Sequence, residues 1–204
     1  MLENSEKAKI WKYIDEISAK ILIEAQKCVE NKMSNKQVIE RVIQITVNKF
    51  TPESKMIMSS AYNMMMKSTL EKPEFQTASN KAAFYQLNIL NDLNSKFVFN
   101  VPNYIDYQEN KKEIAKWIAE GAIVVLAGGV ISIQMEMVIP IAMAVIIAGV
   151  MIGYKLAEIS KAQDVMPLII EYLSGVSGTM MNWLDGIEKY YDERVEKLEK
   201  ELVK

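Results

Sequence analysis

The sequence predicts an all-α protein: a helical bundle of amphipathic helices around a central hydrophobic helical hairpin, with a C-terminal amphipathic or coiled-coil helix. Three observations predict this class. Apolar residues recur at intervals of three and four over most of the chain, which is the period of an amphipathic helix. Residues 121–154 carry a single charge, although 25% of all residues are charged. The length of 204 residues suits one domain.

The predicted organisation is a single helical domain, 1–204, in three parts. Amphipathic helices occupy 1–117, the hydrophobic hairpin occupies 118–156, and C-terminal amphipathic helices occupy 157–204. The chain contains no internal repeat, low-complexity tract or linker long enough to separate two domains.

Periodicity and capping predict the first two helices. The first extends over about 3–30. Ser34 and Gln37 form a capping box that opens the second, which continues to Phe50. The first helix has an apolar face made of residues spaced by three, four or seven: Ile10, Ile14, Ile17, Ile21 and Cys28.

Thr51, Pro52 and Glu53 predict a break and the start of a third helix, which extends to about Glu71. Thr51 can cap this helix, Pro52 fits the first helical position, and Glu53 complements the helix dipole. The third helix carries several methionines, for which we favour ordinary filling of the core over an adaptable binding groove. They are Met56, Met58, Met64, Met65 and Met66.

Pro73 predicts the end of this pattern, and a further helix follows over about 77–97. Residues 97–103 form an apolar connector with β-branched and aromatic residues. The sequence leaves open whether this connector is extended or a loop, since no partner strand is evident.

The hydrophobic hairpin consists of two uncharged runs, 121–135 and 137–154. About 18 uncharged residues are enough for a transmembrane helix, a length that the second run reaches and the first just misses. Pro140 suits the first turn of a new helix, so we expect two antiparallel helices joined at a polar tip. Glu136 lies at that tip, where a solvated turn residue is the favoured interpretation. The alternative is a carboxylate that resists entry into a bilayer unless it is protonated.

Aromatic and small residues give the hairpin its more specific features. Trp117 and Tyr154 lie next to lysines at its two ends, as interfacial anchors do. Gly149 and Gly153 form a small-xxx-small row, which favours close packing of helices within the hairpin or between copies. The predicted membrane hairpin residues are Trp117, Gly121, Gly128, Gly129, Glu136, Pro140, Gly149, Gly153 and Tyr154.

The C-terminal part begins with a restart at Pro167 and a mostly apolar segment, 168–173. Gly175 and Gly178 predict a flexible junction before a last helix over about 179–204. This helix has a narrow apolar stripe that needs a partner in this chain or in another copy. We expect self-association through Gly149, Gly153, Tyr191, Val195, Leu198 and Leu202.

Composition makes several kinds of function improbable. The chain has no histidine and one cysteine, Cys28, which removes the commonest general base and the usual transition-metal ligands. We therefore expect no catalytic residue, no metal site, no cofactor and no enzymatic activity. A net charge of −2 gives no long-range attraction to nucleic acid.

The apolar hairpin at 121–154, with glycines and alanines in both arms, resembles the hydrophobic hairpin of colicin-type pore-forming domains. It is also similar to the hydrophobic head of haemolysin-BL-like α-helical toxins, in which amphipathic helices flank such a hairpin. The resemblance is architectural and covers about 40 residues. It implies a toxin-like passage from water into a lipid bilayer, followed by pore formation.

The leading hypothesis is therefore a membrane-inserting, pore-forming protein that acts as a homo-oligomer, with an immunity or partner protein as a further partner. One alternative is a two-span integral membrane scaffold whose cytoplasmic helical regions bind a partner, and another is a soluble helical bundle. The N-terminus has no apolar signal-peptide core. We thus expect synthesis in the cytoplasm without a cleavable signal, association with a membrane, and any export by a non-classical route.

Overall fold

The computed structural model describes residues 2–97, 123–125, 131–133 and 164–202. These residues form an all-α bundle with two very short strands, which confirms the predicted fold class. In chain order the elements are α1 (Asn4–Glu30), α2 (Asn35–Leu70), a 3₁₀ helix (Pro73–Phe75), α3 (Ala78–Gln86), α4 (Ile89–Lys96), β1 (Ile123–Val125), β2 (Ile131–Ile133) and α5 (Met166–Leu202).

Three long helices, α1, α2 and α5, build the bundle. Helix α1 is antiparallel to α5, since Ser18 shares a hydrogen bond with Ser177 while Lys7 lies 3.4 Å from Asp185, further along α5. A short connection makes α1 and α2 antiparallel neighbours. Helices α2 and α5 therefore run in the same direction, and α3 and α4 pack against their C-terminal halves.

The core follows the predicted apolar faces. Four residues of the apolar face predicted for α1 are buried: Ile10, Ile14, Ile17 and Ile21. The fifth, Cys28, is half-buried. Met58 and Met65 are fully buried, and Met64 and Met66 pack against the core, which confirms core filling for these methionines. Met56 is exposed.

Capping boxes begin the first two helices, and the one at Ser34 and Gln37 was predicted. The Gln37 N–H donates to the Ser34 hydroxyl at 3.4 Å, and the Ser34 N–H donates to the Gln37 carboxamide at 3.0 Å. Glu3 and Glu6 form the equivalent reciprocal pair at α1. Each box satisfies backbone N–H groups that the first turn of a helix leaves without partners.

The predicted break at Thr51 to Glu53 is wrong, because α2 continues through Pro52. A proline inside a helix costs about 3 kcal/mol, but Phe50, Ile57 and Met58 are buried on the core side of this region. Burying each such side chain contributes about 1.5–3 kcal/mol, which together exceeds the cost of the proline. The Thr51 hydroxyl also donates to the Val47 carbonyl at 2.7 Å, next to the proline.

The predicted helix over 77–97 is divided into α3 and α4. The Thr77 hydroxyl caps the start of α3 by accepting a hydrogen bond from the Asn80 N–H at 3.2 Å. The division lies at Asn88, whose φ of 48° and ψ of 39° place it in the left-handed region. Asparagine tolerates this conformation better than most residues with a side chain, so the chain can turn there and bury Ile89 and Leu93.

The predicted junction at Gly175 and Gly178 is also wrong, since α5 is continuous from Met166 to Leu202. Two glycines cost a helix about 2 kcal/mol in total. Val176 and Met180, beside them, are buried against the other long helices. Burial of that face outweighs the conformational freedom of the glycines.

Strands β1 and β2 differ from the helix predicted over 121–135. They pair antiparallel, with Ile123 opposite Ile133 and Val125 opposite Ile131, and β2 lies beside α5. Five of the six strand residues are β-branched, Ser132 being the exception, and Gly128 and Gly129 lie between the strands in the sequence. Because β-branched residues favour strands and a short glycine-containing interval favours a hairpin, the local sequence supports this pairing. The rest of the predicted hairpin lies outside the described residues.

Candidate functional site

The predicted site residues fall into two groups with different outcomes. All those of the membrane hairpin, including both Gly149 and Gly153, lie outside the described residues. The C-terminal stripe lies inside the bundle: Tyr191, Val195 and Leu198 are buried, and Leu202 packs against the same core. The partner that this stripe requires is therefore the chain itself, which corrects the expectation that these four residues meet a second copy.

We call the predicted hairpin region, 118–156, the apolar segment. The described residues show how the parts of the chain that precede and follow it are attached to the bundle. Phe97 is the last described residue before this segment, and Asp164 is the first described residue after it. We call the contacts of α4 and Phe97 with α5 the exit clamp. It is formed by Asp92, Lys96 and Phe97 on one side and by Trp183, Tyr190 and Arg194 on the other.

Tyr190 is the centre of the exit clamp. Its hydroxyl donates to an Asp92 carboxylate oxygen at 2.8 Å and accepts from the Lys96 ammonium at 3.1 Å. The same ammonium lies 4.4 Å from the centroid of the Tyr190 ring, a cation–π distance. One side chain of α5 thus holds two successive turns of α4.

Arg194 extends the exit clamp towards the start of α4. Its guanidinium lies 3.5 Å from the Asp92 carboxylate and 3.5 Å from the Leu87 carbonyl. Leu87 precedes Asn88, the left-handed residue between α3 and α4. The contact therefore holds the turn that sets the direction of α4.

Phe97, the last described residue before the apolar segment, is held by both its backbone and its ring. The Trp183 indole N–H donates to the Phe97 carbonyl at 3.1 Å. The Phe97 ring lies 5.8 Å from the Tyr190 ring, within the usual range for an aromatic pair. Phe97 is thereby fixed to the middle of α5.

Asp164, the first described residue after the apolar segment, is held at the first turn of α5. The Asp164 carboxylate accepts from the Met166 N–H at 3.0 Å, and Val165 is buried. A carboxylate at a helix N-terminus is favoured by the helix dipole. Phe97 and Asp164, the described residues nearest to the apolar segment on either side, are therefore both attached to α5.

A second polar cluster attaches the N-terminus to α5. Glu188 is 6% exposed, and it accepts from the Leu2 N–H at 2.9 Å and pairs with the Lys7 ammonium. The hydrogen bond to Glu188, more than its charge, raises the pKa of Lys7. These contacts offset the cost of burying the carboxylate, so the cluster is structural.

Burial is the main cause of the raised pKa values of three groups in the bundle, Tyr62, Tyr191 and Asp192. Burial raises the pKa of Tyr191 strongly, although the hydrogen bond with Thr69 acts in the opposite direction. Burial also raises the pKa of Tyr62 and of Asp192. The described residues contain no cluster of three potential metal ligands.

The sequence did not single out the exit clamp, although it contained one signal. Tyr190 and Tyr191 are adjacent, and adjacent residues of a helix point in directions about 100° apart. Only one of them can occupy the core stripe, and Tyr191 does. The other must find a polar partner at the edge of the core, and that partner, Asp92, is distant in sequence.

Two further findings concern the described helices and the similarity of the chain to known proteins. Among the described helices, none is both long enough and apolar enough to cross a membrane. The chain matches no protein-family model, and comparisons with curated proteins and with solved structures find no significantly similar protein.

Proposed function

We propose that the protein permeabilises membranes by inserting its apolar segment, 118–156, while the helical bundle remains folded and holds both ends of that segment. The observation that carries the proposal is that the described residues nearest to this segment on either side are both attached to α5: Phe97 through Trp183, and Asp164 through the first turn of the helix. A hairpin that enters a bilayer from one side needs both its ends on that side.

Charge supports the same proposal. Glu136 is the only charged residue of 121–154. A carboxylate costs about 2.5–3.5 kcal/mol at the centre of a membrane helix, and protonation removes most of that cost. Permeabilisation therefore increases as the pH falls.

Assembly follows from the small residues of the segment. Gly149 and Gly153 let two helices approach closely in lipid, where packing rather than the hydrophobic effect drives association. The C-terminal stripe has no part in this assembly, because it is already buried in the bundle. The proposed conducting species is a homo-oligomer joined through the membrane-inserted segments.

The test is release of a trapped dye from liposomes at neutral and at acidic pH. We expect release by the unaltered protein, more at acidic pH, and none from Gly149→Leu/Gly153→Leu. Glu136→Gln should release dye at neutral pH as the unaltered protein does at acidic pH. The control is Gly178→Ala, where an added Cβ meets no atom within 4 Å and release should not change.

Sedimentation of the liposomes separates the other outcomes. Protein that binds the bilayer and resists extraction by carbonate but releases no dye would contradict permeabilisation and indicate a two-span scaffold. Protein that does not bind the bilayer at either pH would contradict any membrane role of the segment.

A further inference from the structure

A groove runs between α1 and α5 in the half of the bundle that contains the start of α5. Its cavity volume is about 270 Å³. Small and apolar side chains make up most of its lining: Ser18, Ala19, Leu22, Ile170, Leu173 and Ser174. Asp15 is the only charged residue that lines it. Small side chains on both walls allow a helix to approach closely.

Exposed apolar side chains border this groove. Trp11 and Val29 lie on the same face of α1 as Leu22 and are 43% and 38% exposed. Ile170 of α5 is 52% exposed. Several large apolar residues exposed along one groove mark a surface that packs against something else.

The exposed apolar border of the groove matches one arm of the apolar segment in length. The border runs along α1 from Trp11 to Val29, beyond the lining residues at 15–22 and 170–177. This part of α1 rises about 27 Å, and the uncharged residues 137–154 would span about the same distance as a helix. One such helix could therefore cover the exposed border.

We propose that this groove binds residues 137–154 of the same chain before they enter a membrane, and this inference rests on the proposed function. These residues are separated from Met166, the first residue of α5, only by 155–165, so their attachment to the chain limits their distance from its first turns. The preceding part of the segment also returns to the bundle, since β2 lies beside α5.

The tether favours this occupant over a second copy of the chain. A short flexible linker gives an attached segment an effective concentration in the millimolar range. A second copy at micromolar concentration would need an affinity about a thousandfold higher to compete.

The test is disulfide formation within the full chain, in a Cys28→Ala background. Ala19→Cys, on the groove, is combined in turn with single cysteines at positions 143–150. Lys20→Cys, which is exposed and points about 100° away from Ala19, is the matched control. We expect intramolecular disulfides with Ala19→Cys at positions three or four apart, forming at least about tenfold faster than with Lys20→Cys.

Equal rates with the two α1 cysteines would overturn the inference, and so would disulfide-linked dimers, which would indicate a second copy in the groove. If Ala19→Cys proteins do not fold, Ser174→Cys on the opposite wall provides the same comparison.

Dye release by the oxidised and reduced forms separates this inference from the proposed function. Release that is blocked by oxidation and restored by reduction supports both. Selective disulfides without dye release in either form support the groove and contradict permeabilisation. Dye release without selective disulfides contradicts the groove alone.

Discussion

At the scale of single residues, Tyr191 shows how the bundle combines apolar packing with one buried polar contact. Its hydroxyl donates to the Thr69 hydroxyl at 2.9 Å, and both side chains are buried. Its ring lies 6.0 Å from Tyr62 and 6.4 Å from Phe84, in edge-to-face arrangements. Tyr191 thus connects α2, α3 and α5 where the short helices pack on the long ones.

Replacing Tyr191 with phenylalanine should lower the free energy of unfolding by about 1–2 kcal/mol, because the buried Thr69 hydroxyl loses its partner. Urea denaturation followed by circular dichroism measures this change. Adding Thr69→Val should recover part of the loss, since neither polar group then remains. Tyr85→Phe, at a ring that is 57% exposed, should have no effect. A loss that is equal in the single and double variants would contradict the contact.

The raised pKa of Tyr191 predicts a loss of stability in alkali. Burial holds its folded-state pKa above the ordinary value of about 10. The stability that comes from the neutral hydroxyl is therefore complete below about pH 10, and it falls as the pH rises from there through the folded-state pKa. The urea midpoint should fall less between about pH 8 and pH 11 in Tyr191→Phe than in the unaltered protein. An equal fall would mean that other groups account for the alkaline loss.

At the scale of elements, packing extends helices beyond the limits set by local sequence. Pro52 lies inside α2, and Gly175 and Gly178 lie inside α5. Each would end or weaken an isolated helix. The buried face of the same helix overrides each of them, because a break would expose side chains whose burial is worth more.

Replacing Pro52 with alanine tests this account. Alanine restores a backbone N–H that can donate to the Asn48 carbonyl, and it removes the clash of the proline ring. The gain of about 3 kcal/mol is reduced by about 0.4–1 kcal/mol, because the unfolded chain becomes more flexible. Urea denaturation should show a net stabilisation of about 2 kcal/mol.

Pro73→Ala is the matched control. Pro73 is the first residue of the 3₁₀ helix, where a missing N–H costs little. Its replacement should leave stability unchanged or slightly lower. Destabilisation by Pro52→Ala would show that the proline is needed for the shape of α2.

At the scale of the whole molecule, the bundle is assembled from residues on both sides of the apolar segment. Helices α1 and α2 precede it and α5 follows it, and all three share one core. Phe97 is held near Trp183, which lies about 26 Å along α5 from the first residue of that helix, Met166. Any connection that spans this distance should let the same core form.

Replacing residues 100–161 with a Gly/Ser linker of about 25 residues should preserve the bundle, since such a linker spans about 25–30 Å on average. We expect a helical circular dichroism spectrum and a single cooperative unfolding transition. The shortened protein should also lose all dye release. A linker of about six residues, too short to span this distance comfortably, is the control and should destabilise the bundle. Loss of cooperative folding with both linkers would show that the segment is part of the core.

The sequence by itself determined the all-α class, the capped start at Ser34, a helix that begins near Thr77, and the burial of residues such as Ile14, Ile21 and Met65. These features depend on local periodicity and on hydrogen bonds between near neighbours. Only the tertiary structure decided that α2 passes through Pro52, that α5 passes through two glycines, and that Tyr191 meets Thr69 rather than a second copy. Those outcomes depend on burial against distant parts of the chain, whose energy exceeds local preference. The exit clamp belongs with them, because Asp92 and Tyr190 meet only when α4 packs on α5.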